Sequence, residues 1–497
     1  MLKLRFFVLV ALLLSSASCI PGPEPVRFSA SACTIGAGVT VPDVPPVDLD
    51  SATALFADDA LPLFEVEIPD GAWRDICNKA GAYADYLQAI ADRRDVPEVT
   101  QEYTSVNLTI QDRYYPDVGF RMRGRSTVYA IFYDNDARIP NAMELCYERR
   151  TARKPSFKIS LDKFSGDGEI ADQQTLNLIS REGADSAYLR EVLAHRLANQ
   201  FGVQSPRAGH ARLCVDGAYE GLFSLVEEAD TQRFLNQHFP GEADGGYWKV
   251  ENDGDQEWHS SWEGDDFTGD YVPKAGTDKD NPGTLRDLLA LGDDIAEGAS
   301  TSTIEEQIDD LVDVDQWLRE IAIEMTIPDY DGMWGNHKNH LLYDHPDGFR
   351  IVPFDRDLAF VDLSDYAGGQ CPGSILGGHP CWASTREGPH IARYLVESRE
   401  EEYIATVQAF VDQVMDPVAI NTWLLARADA MRPWIAADRY YQPDSPACQG
   451  DPDCGYFTQS AWEYAVEPSL TGAVSDRVEE VRRQLAEGAA CSSPCGD

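Results

Sequence analysis

Apolar positions recur with two different periods along this chain, and the change from one to the other divides it. From Leu61 to Ile68 apolar and acidic residues alternate, the two-residue period of a strand with one buried face. Asp70 to Arg94 predicts a helix, and Val106–Ile110 and Val118–Met122 predict two more strands. Residues 128–153 read as an irregular insertion around Cys146. Phe157, Ile159 and Leu161 then alternate with Lys158 and Ser160, which again describes a strand. Asp185 suits the N-cap of a helix whose apolar stripe is Leu189, Val192, Leu193, Leu197 and Phe201. A hairpin over 211–226 turns at Asp216-Gly217. The acidic, glycine-bearing stretch 252–283 predicts a surface loop or lid. Ile304, Ile308, Leu311, Leu318 and Ile321 mark one further helix. A second hairpin runs from Leu341-Leu342-Tyr343 through Pro346-Asp347-Gly348 to Phe349–Val352, and the remainder is mostly helical around a Cys-bearing loop at 368–382. Strands first and helices later give an α+β chain with a cleft expected between its two parts.

The N-terminus changes the picture of where this fold operates. Lys3 and Arg5 precede nine apolar residues, Phe6 to Leu14, a run too short to span a bilayer and suited to a secretory leader. Ser16-Ala17-Ser18-Cys19 resembles a lipobox, in which Cys19 would carry lipid, although Ser16 stands where Leu is usual; ordinary cleavage nearby is the alternative. Either route means export, to a bacterial envelope (as an outer-membrane lipoprotein) or into the medium. The ten cysteines other than Cys19 are an even number, as a disulfide-bonded exported protein would have, with Cys371/Cys381, Cys448/Cys454 and Cys491/Cys495 as local loops. The division is then a leader over 1–19, a Pro/Ser/Asp-rich tether over 20–60 with partial order expected through Cys33, one domain over 61–488 and a Cys-bearing tail over 489–497. Within that domain, 61–230 is the strand-rich part and 231–488 the helical part.

Charge narrows the partners. Asp and Glu number 84 against 41 Lys and Arg, a net charge of −43 over 497 residues. No basic face for nucleic acid or anionic lipid is expected from that balance, so membrane contact would come only through lipid on Cys19. Only nine of the basic residues are lysines, so a lysine in a suggestive place stands out.

Candidate chemistry concentrates around the second hairpin. Its ends bring Asp331, Asn336 or Asn339, Asp355 and Asp357 together. These are hard oxygen donors suited to Mg²⁺ or Mn²⁺. Phosphoryl transfer needs little else: a metal over the phosphates, a carboxylate to orient the attacking hydroxyl and a cation on the phosphate tail. Upstream, Arg121 to Thr127 makes a basic, small-residue turn able to cover phosphates. Lys154 and Lys158 lie beside it, and Glu191 sits on the following helix.

Those pieces resemble the CotH kinase family, named for a bacterial spore-coat protein. The matching stretches are Phe120-Arg121-Met122-Arg123-Gly124-Arg125-Ser126, Lys154-Pro155-Ser156-Phe157-Lys158-Ile159, Val215 to Asp230, Asn339-His340-Leu341-Leu342-Tyr343 and Pro353-Phe354-Asp355-Arg356-Asp357. The resemblance covers residues 61–488. It implies an atypical protein-kinase-like fold in two lobes, the first rich in strands and the second mostly helical. It also implies transfer of the ATP γ-phosphate to Ser or Thr of envelope or secreted proteins. In that reading Lys158 or Lys154 contacts the nucleotide phosphates and Glu191 pairs with it. Arg123, Gly124 and Ser126 cover the phosphates, and Glu227 and Glu228 lie near the base. Asp331 orients the acceptor hydroxyl, while Asn339 or Asn336 holds metal with Asp355, supported by Asp357. Arg356 departs from the aromatic-Asp-apolar pattern expected there.

Three other readings compete. Gly335-Asn336-His337 with His340 and His345 is similar to a metallophosphoesterase block, but Lys338 stands where an acid belongs. A catalytically inactive surface or adhesion lipoprotein would keep the fold without the reaction. Asp253, Asp255, Glu257, Asp265 and Asp266 offer an accessory Ca²⁺ site without EF-hand spacing.

Overall fold

The computed structural model describes residues 33–35, 41–94, 96–134, 136–151, 153–180, 185–251, 254–258, 266–278, 280–329, 331–361, 389–440 and 458–487. The leader, Cys19, the three expected local cysteine loops, Asp253 and Asp265 lie outside them. Among the described residues no helix is long and apolar enough to cross a membrane.

Seven strands close into a barrel. They are β1 (Leu63–Glu67), β2 (Thr104–Ile110), β3 (Arg113–Arg123), β4 (Ser156–Ser160), β5 (Thr175–Ile179), β6 (Ala208–Val215) and β7 (Ala218–Glu227). Their order is β1-β2-β3-β4-β5-β7-β6, antiparallel except where β1 and β6 meet in parallel and shut the barrel. The two-residue period expected of these segments is what fills it. Phe64, Leu108, Phe120, Phe157, Leu178, Leu213, Phe223 and Leu225 are all buried in one apolar cluster. The helix expected over 70–94 is α1 (Ala72–Ala91), packed on the barrel.

One expectation about this half changes, and the order expected through Cys33 extends further along the tether. The stretch 128–153 is built rather than irregular: α2 (Arg125–Phe132) and α3 (Ala142–Tyr147) lie on α1, and Cys146 bonds to Cys77 of α1. Residues 41–60 are packed, with Leu49, Leu55 and Phe56 in the barrel cluster. Cys33 bonds to Cys214 of β6, and Thr34 pairs with the β6–β7 turn at Gly217 and Tyr219. Scattered apolar residues among prolines carry no period, so this packing left no pattern to read.

The helical half begins with α4 (Arg190–Gln200). Asp185 caps it from a turn upstream, accepting the Glu191 N–H at 3.3 Å, while Leu189 occupies the helix boundary. After α5 (Gln232–His238), a four-stranded sheet forms from β8 (Tyr247–Val250), β9 (Tyr271–Pro273), β10 (His340–His345) and β11 (Gly348–Pro353), in the order β9-β8-β10-β11. Part of the expected surface loop is therefore a strand, β9. α6 (Thr284–Ala296) precedes a helix pair that was expected as one, α7 (Thr301–Leu311) and α8 (Val314–Thr326). Asp313 breaks it by accepting the Gln316 N–H and capping α8. The rest is α9 (His390–Ser398), α10 (Glu400–Gln413), α11 (Pro417–Ala437), α12 (Gln459–Tyr464) and α13 (Thr471–Glu487). Their apolar faces form a second, larger cluster around Trp317, Tyr403, Phe410 and Trp462.

Candidate functional site

A cavity of about 440 Å³ lies between the barrel and the β8–β11 sheet. Its roof follows from strand alternation. Arg121, Lys158, Asn177 and Val226 sit opposite one another across β3, β4, β5 and β7. This transverse row faces the cavity. Their strand neighbours Phe120, Phe157, Leu176, Leu178 and Leu225 face the barrel interior. Arg123, Gly124, Arg125 and Ser126 complete the roof, with Gly124 at φ +86°, a conformation in which a side chain would be strained. The floor is Lys249 of β8, Leu341 opposite it on β10, Phe354 and Asp355.

The hairpin gathers its ends as its register requires. His340 pairs with Pro353, and the Phe354 N–H donates to the Asn339 carbonyl at 3.0 Å. Asn339 and Asp355 both have positive φ, 57° and 55°. Such conformations outside glycine store strain of order 1 kcal/mol or more and concentrate at functional sites. Asp331 has three partners: the side-chain amides of Asn336 and Asn339 both donate to it, the latter at 2.9 Å, and the Lys338 ammonium stands at 3.3 Å. Asn339 lines the cavity; Asn336 does not. A smaller cavity of about 220 Å³ shares Asp331 and Asp355 and is also lined by Asp357, Leu358 and Ser156.

Acidic groups crowd beneath this floor. Burial, then the neighbouring Asp355, holds Glu191 well above the usual carboxylate range; Arg123 opposes the shift. Burial, then Asp355, Glu191, Asp185 and Asp329, does the same to Asp357. Asp185 is pushed up to about 6, mainly by burial. The buried Asp329 Oδ1 has no hydrogen-bond partner. Hard oxygens that repel one another suit a divalent cation chemically. Among the described residues, however, no three His, Cys, Asp or Glu side chains are gathered closely enough to hold one.

The two candidate lysines part company. Lys158 lines the cavity and pairs with Glu228. Glu191, its expected partner, also lines the cavity, with Arg123 as its neighbouring cation. Lys154 is 1 % exposed and lines neither cavity. It pairs with Asp438, donates to the Leu222 carbonyl and lies 3.1 Å from the Tyr188 hydroxyl. Gly221, at φ +133°, makes room for this pair, since a Cβ there would meet Asp438 at 2.0 Å. Glu227 reaches the cavity wall, but its carboxylate is engaged. Burial opposes its ionisation, yet His238 and Arg207 overcome burial and bring its pKa down to about 2.

Sequence reasoning missed Lys249, Lys274 and Lys338. With Lys158 they place four of the chain's nine lysines in one cavity of a strongly acidic protein. Each is paired with a cavity acid: Lys249 with Glu251 at 2.9 Å, Lys274 with Asp230 at 3.2 Å, Lys338 with Asp331 at 3.3 Å and Lys158 with Glu228. Lysine scarcity was the available signal. His337, His340 and His345 line neither cavity; His345 is 2.9 Å from Glu242. Of the suggested Ca²⁺ group, Glu257 pairs instead with His390. Arg356 turns away from the cavity and pairs with buried Glu320, with Asp329 3.7 Å away.

A family model described as CotH kinase protein matches residues 120–467. The chain belongs to the CotH kinase family. The match begins inside β3, so β1, α1 and β2 precede it. The inner spore coat protein H of Bacillus subtilis (strain 168) is 24% identical over 320 residues, covering 62% of this chain and 81% of that protein. Among solved structures, a Shewanella oneidensis MR-1 toxin–antitoxin complex of HipA, HipB and operator DNA is similar at 13% identity. The match covers 62% of this chain and 60% of that one with a TM-score of 0.25, and carries no argument here.

Proposed function

We propose that this CotH-family protein is an exported protein kinase that transfers the γ-phosphate of ATP to Ser or Thr hydroxyls of envelope or secreted proteins. The observation that carries this reading is the meeting of Lys158, Asp331, Asn339 and Asp355 around one cavity. ATP bound with Mg²⁺ or Mn²⁺ supplies the transferable phosphoryl group and the charge neutralisation its transfer needs. Asp355, Asp357 and Asn339 or Asn336 would hold the cation. Lys158 leaves Glu228 to contact the phosphate tail, and the Arg123–Ser126 turn covers it. Asp331, held in place by its two amide donors, orients the acceptor hydroxyl and takes its proton. Ile179, Val226, Leu341 and Phe354 give apolar surfaces for the base. Lipid on Cys19 would keep the protein at the membrane surface, facing its substrates.

The test uses residues 20–497 produced under oxidising conditions, γ-labelled ATP, Mg²⁺ or Mn²⁺ and a generic acceptor protein. Metal-dependent label on the acceptor, reduced about 10³-fold by Asp355→Ala, is the expected result. No transfer together with no nucleotide binding by calorimetry would overturn it and favour a surface protein that kept only the fold.

A further inference from the structure

One hydroxyl stands apart from every other in this site. Among the described residues, Ser126 is the only serine or threonine lining the larger cavity, and it lines the smaller one as well. Asp331 and Asp355 line the same two cavities. Ser126 is exposed, and among the described residues no hydrogen bond occupies its hydroxyl. The smaller cavity's other hydroxyls differ: Ser156 is 2 % exposed and bonded to Ser180 at 3.0 Å, and Thr127 is buried against Gly124. Ser126 thus has the accessibility of an acceptor and shares both cavities with the carboxylate that would take an acceptor's proton.

We propose that Ser126 is a phosphorylation site of this chain, modified by the chain's own cavity; this rests on the kinase reading above. The step balances without a further reagent. The Ser126 Oγ attacks the γ-phosphorus of a nucleoside triphosphate, an O–P bond forms, the bond to the bridging β,γ-oxygen breaks, and nucleoside diphosphate leaves. The hydroxyl proton passes to Asp331. The surroundings suit the product. Arg121, Arg123 and Arg125 flank the residue, and it lies in the first turn of α2, an eight-residue helix with no side-chain cap. A phosphate carrying nearly two negative charges is favoured beside arginines and at a helix start. It would also occupy the roof where an incoming triphosphate must lie. Modification is therefore self-limiting: transfer within the chain weakens the cavity's hold on the next nucleotide.

The test incubates the full exported chain with ATP and Mn²⁺ and maps phosphate by mass spectrometry of the tryptic peptide Ser126–Arg138. Fragment ions separate Ser126 from Thr127 and Tyr129. The expected result is phosphate on Ser126 at a rate independent of protein concentration, none in Asp355→Ala, and nucleotide affinity about tenfold weaker in the modified protein and in Ser126→Asp. Label on an added acceptor protein with Ser126 unmodified would overturn this proposal and leave the kinase reading standing. Label nowhere would overturn both. Phosphate on Ser126 that appears only as protein concentration rises would overturn modification within one chain.

Discussion

The barrel and the helical half bury different things. The barrel interior is apolar from Phe64 to Leu225, and two disulfides, Cys33–Cys214 and Cys77–Cys146, tie outlying segments to it. The helical half buries ionisable groups: Glu320, Glu324, Asp329 and Arg356 are each at most 2 % exposed. Glu320 and Glu324 lie on α8 and Asp329 in the turn after it, and Arg356, next to Asp355 in the chain, reaches Glu320 and Asp329. Burying charge costs free energy unless each group is paired and hydrogen-bonded, and here Glu320, Asp329 and Arg356 keep unpartnered atoms. The difference teaches that the barrel is filled for stability, while the other half places buried ionisable groups where the cavity floor must be held.

The sharpest way to break that contrast uses two lysines four residues apart. Lys154 and Asp438 form the buried ion pair that joins the barrel to the end of α11. Lys154→Met would leave Asp438 uncompensated, and urea denaturation should show a loss of about 3–5 kcal/mol. Lys158 and Glu228 are partly exposed at the cavity. Lys158→Met should change stability by less than about 1 kcal/mol and instead weaken nucleotide binding. Equal stability losses in the two variants would mean that the pairs do the same job, and the contrast would fail.

Next in size are the disulfides. Cys77–Cys146 closes a span of 69 residues and Cys33–Cys214 one of 181. Replacing Cys77 and Cys146 by Ser should cost about 2–4 kcal/mol, chiefly by freeing the unfolded chain. Hydrogen exchange should rise in α1 and α3 and stay unchanged in α8. Protection lost equally in α8 would show that the halves do not differ as argued.

Glu324 sharpens the comparison from the other side. Burial pushes its carboxyl up to about 8, although the Trp334 N–H donates to it at 2.6 Å. Because the folded state holds this proton more tightly than the unfolded chain, the stabilisation is full below about pH 4.5 and is lost as pH rises through 8. Glu324→Gln keeps an acceptor for Trp334 without ionising. It should gain about 2 kcal/mol over the native protein at pH 8, read by thermal unfolding across pH. An unchanged alkaline limb would show that Glu324 is ionised in the fold at little cost.

How much of this was legible depended on whether a physical period or a turn announced it. The β6–β7 and β10–β11 hairpins were readable because Asp216-Gly217 and Pro346-Asp347-Gly348 punctuate alternating segments. The hairpin ends then brought Asn339 to Asp355 as expected. Barrel closure by a parallel β1–β6 contact was not readable, because pairing partners 150 residues apart leave no local mark. Lys158 was found from its strand context. Lys249 and Lys274 were missed because the strands that hold or precede them are short and lie in or beside an acidic stretch that reads as loop. Glu228 as the Lys158 partner depends on how far β7 runs, which alternation alone does not fix.

The smallest effect separates a histidine from the carboxylates around it. His210 lies on β6, where its Nε2 donates to the Tyr188 carbonyl at 2.7 Å and its Nδ1 accepts from Arg427 Nε at 2.9 Å. Burial, then the Arg427 charge, holds its pKa well below the usual histidine value. A proton on Nδ1 would face a guanidinium N–H and add a second positive charge beside the first. The folded state therefore refuses a proton that the unfolded chain accepts near pH 6.5, so stability is present above that pH and falls as pH drops below it. One such ring contributes a slope of about 1.4 kcal/mol per pH unit. Asp185 and Glu324 pull the other way over the same range, so the native protein's total slope does not isolate the ring. The difference between native and His210→Gln does, because the carboxylates are common to both. Thermal unfolding at pH 6.5 and 5.5 should show the variant losing about 1 kcal/mol less than the native protein. Parallel curves would mean that His210 is charged in the fold, and that a barrel-side ion had been mistaken for a neutral ring.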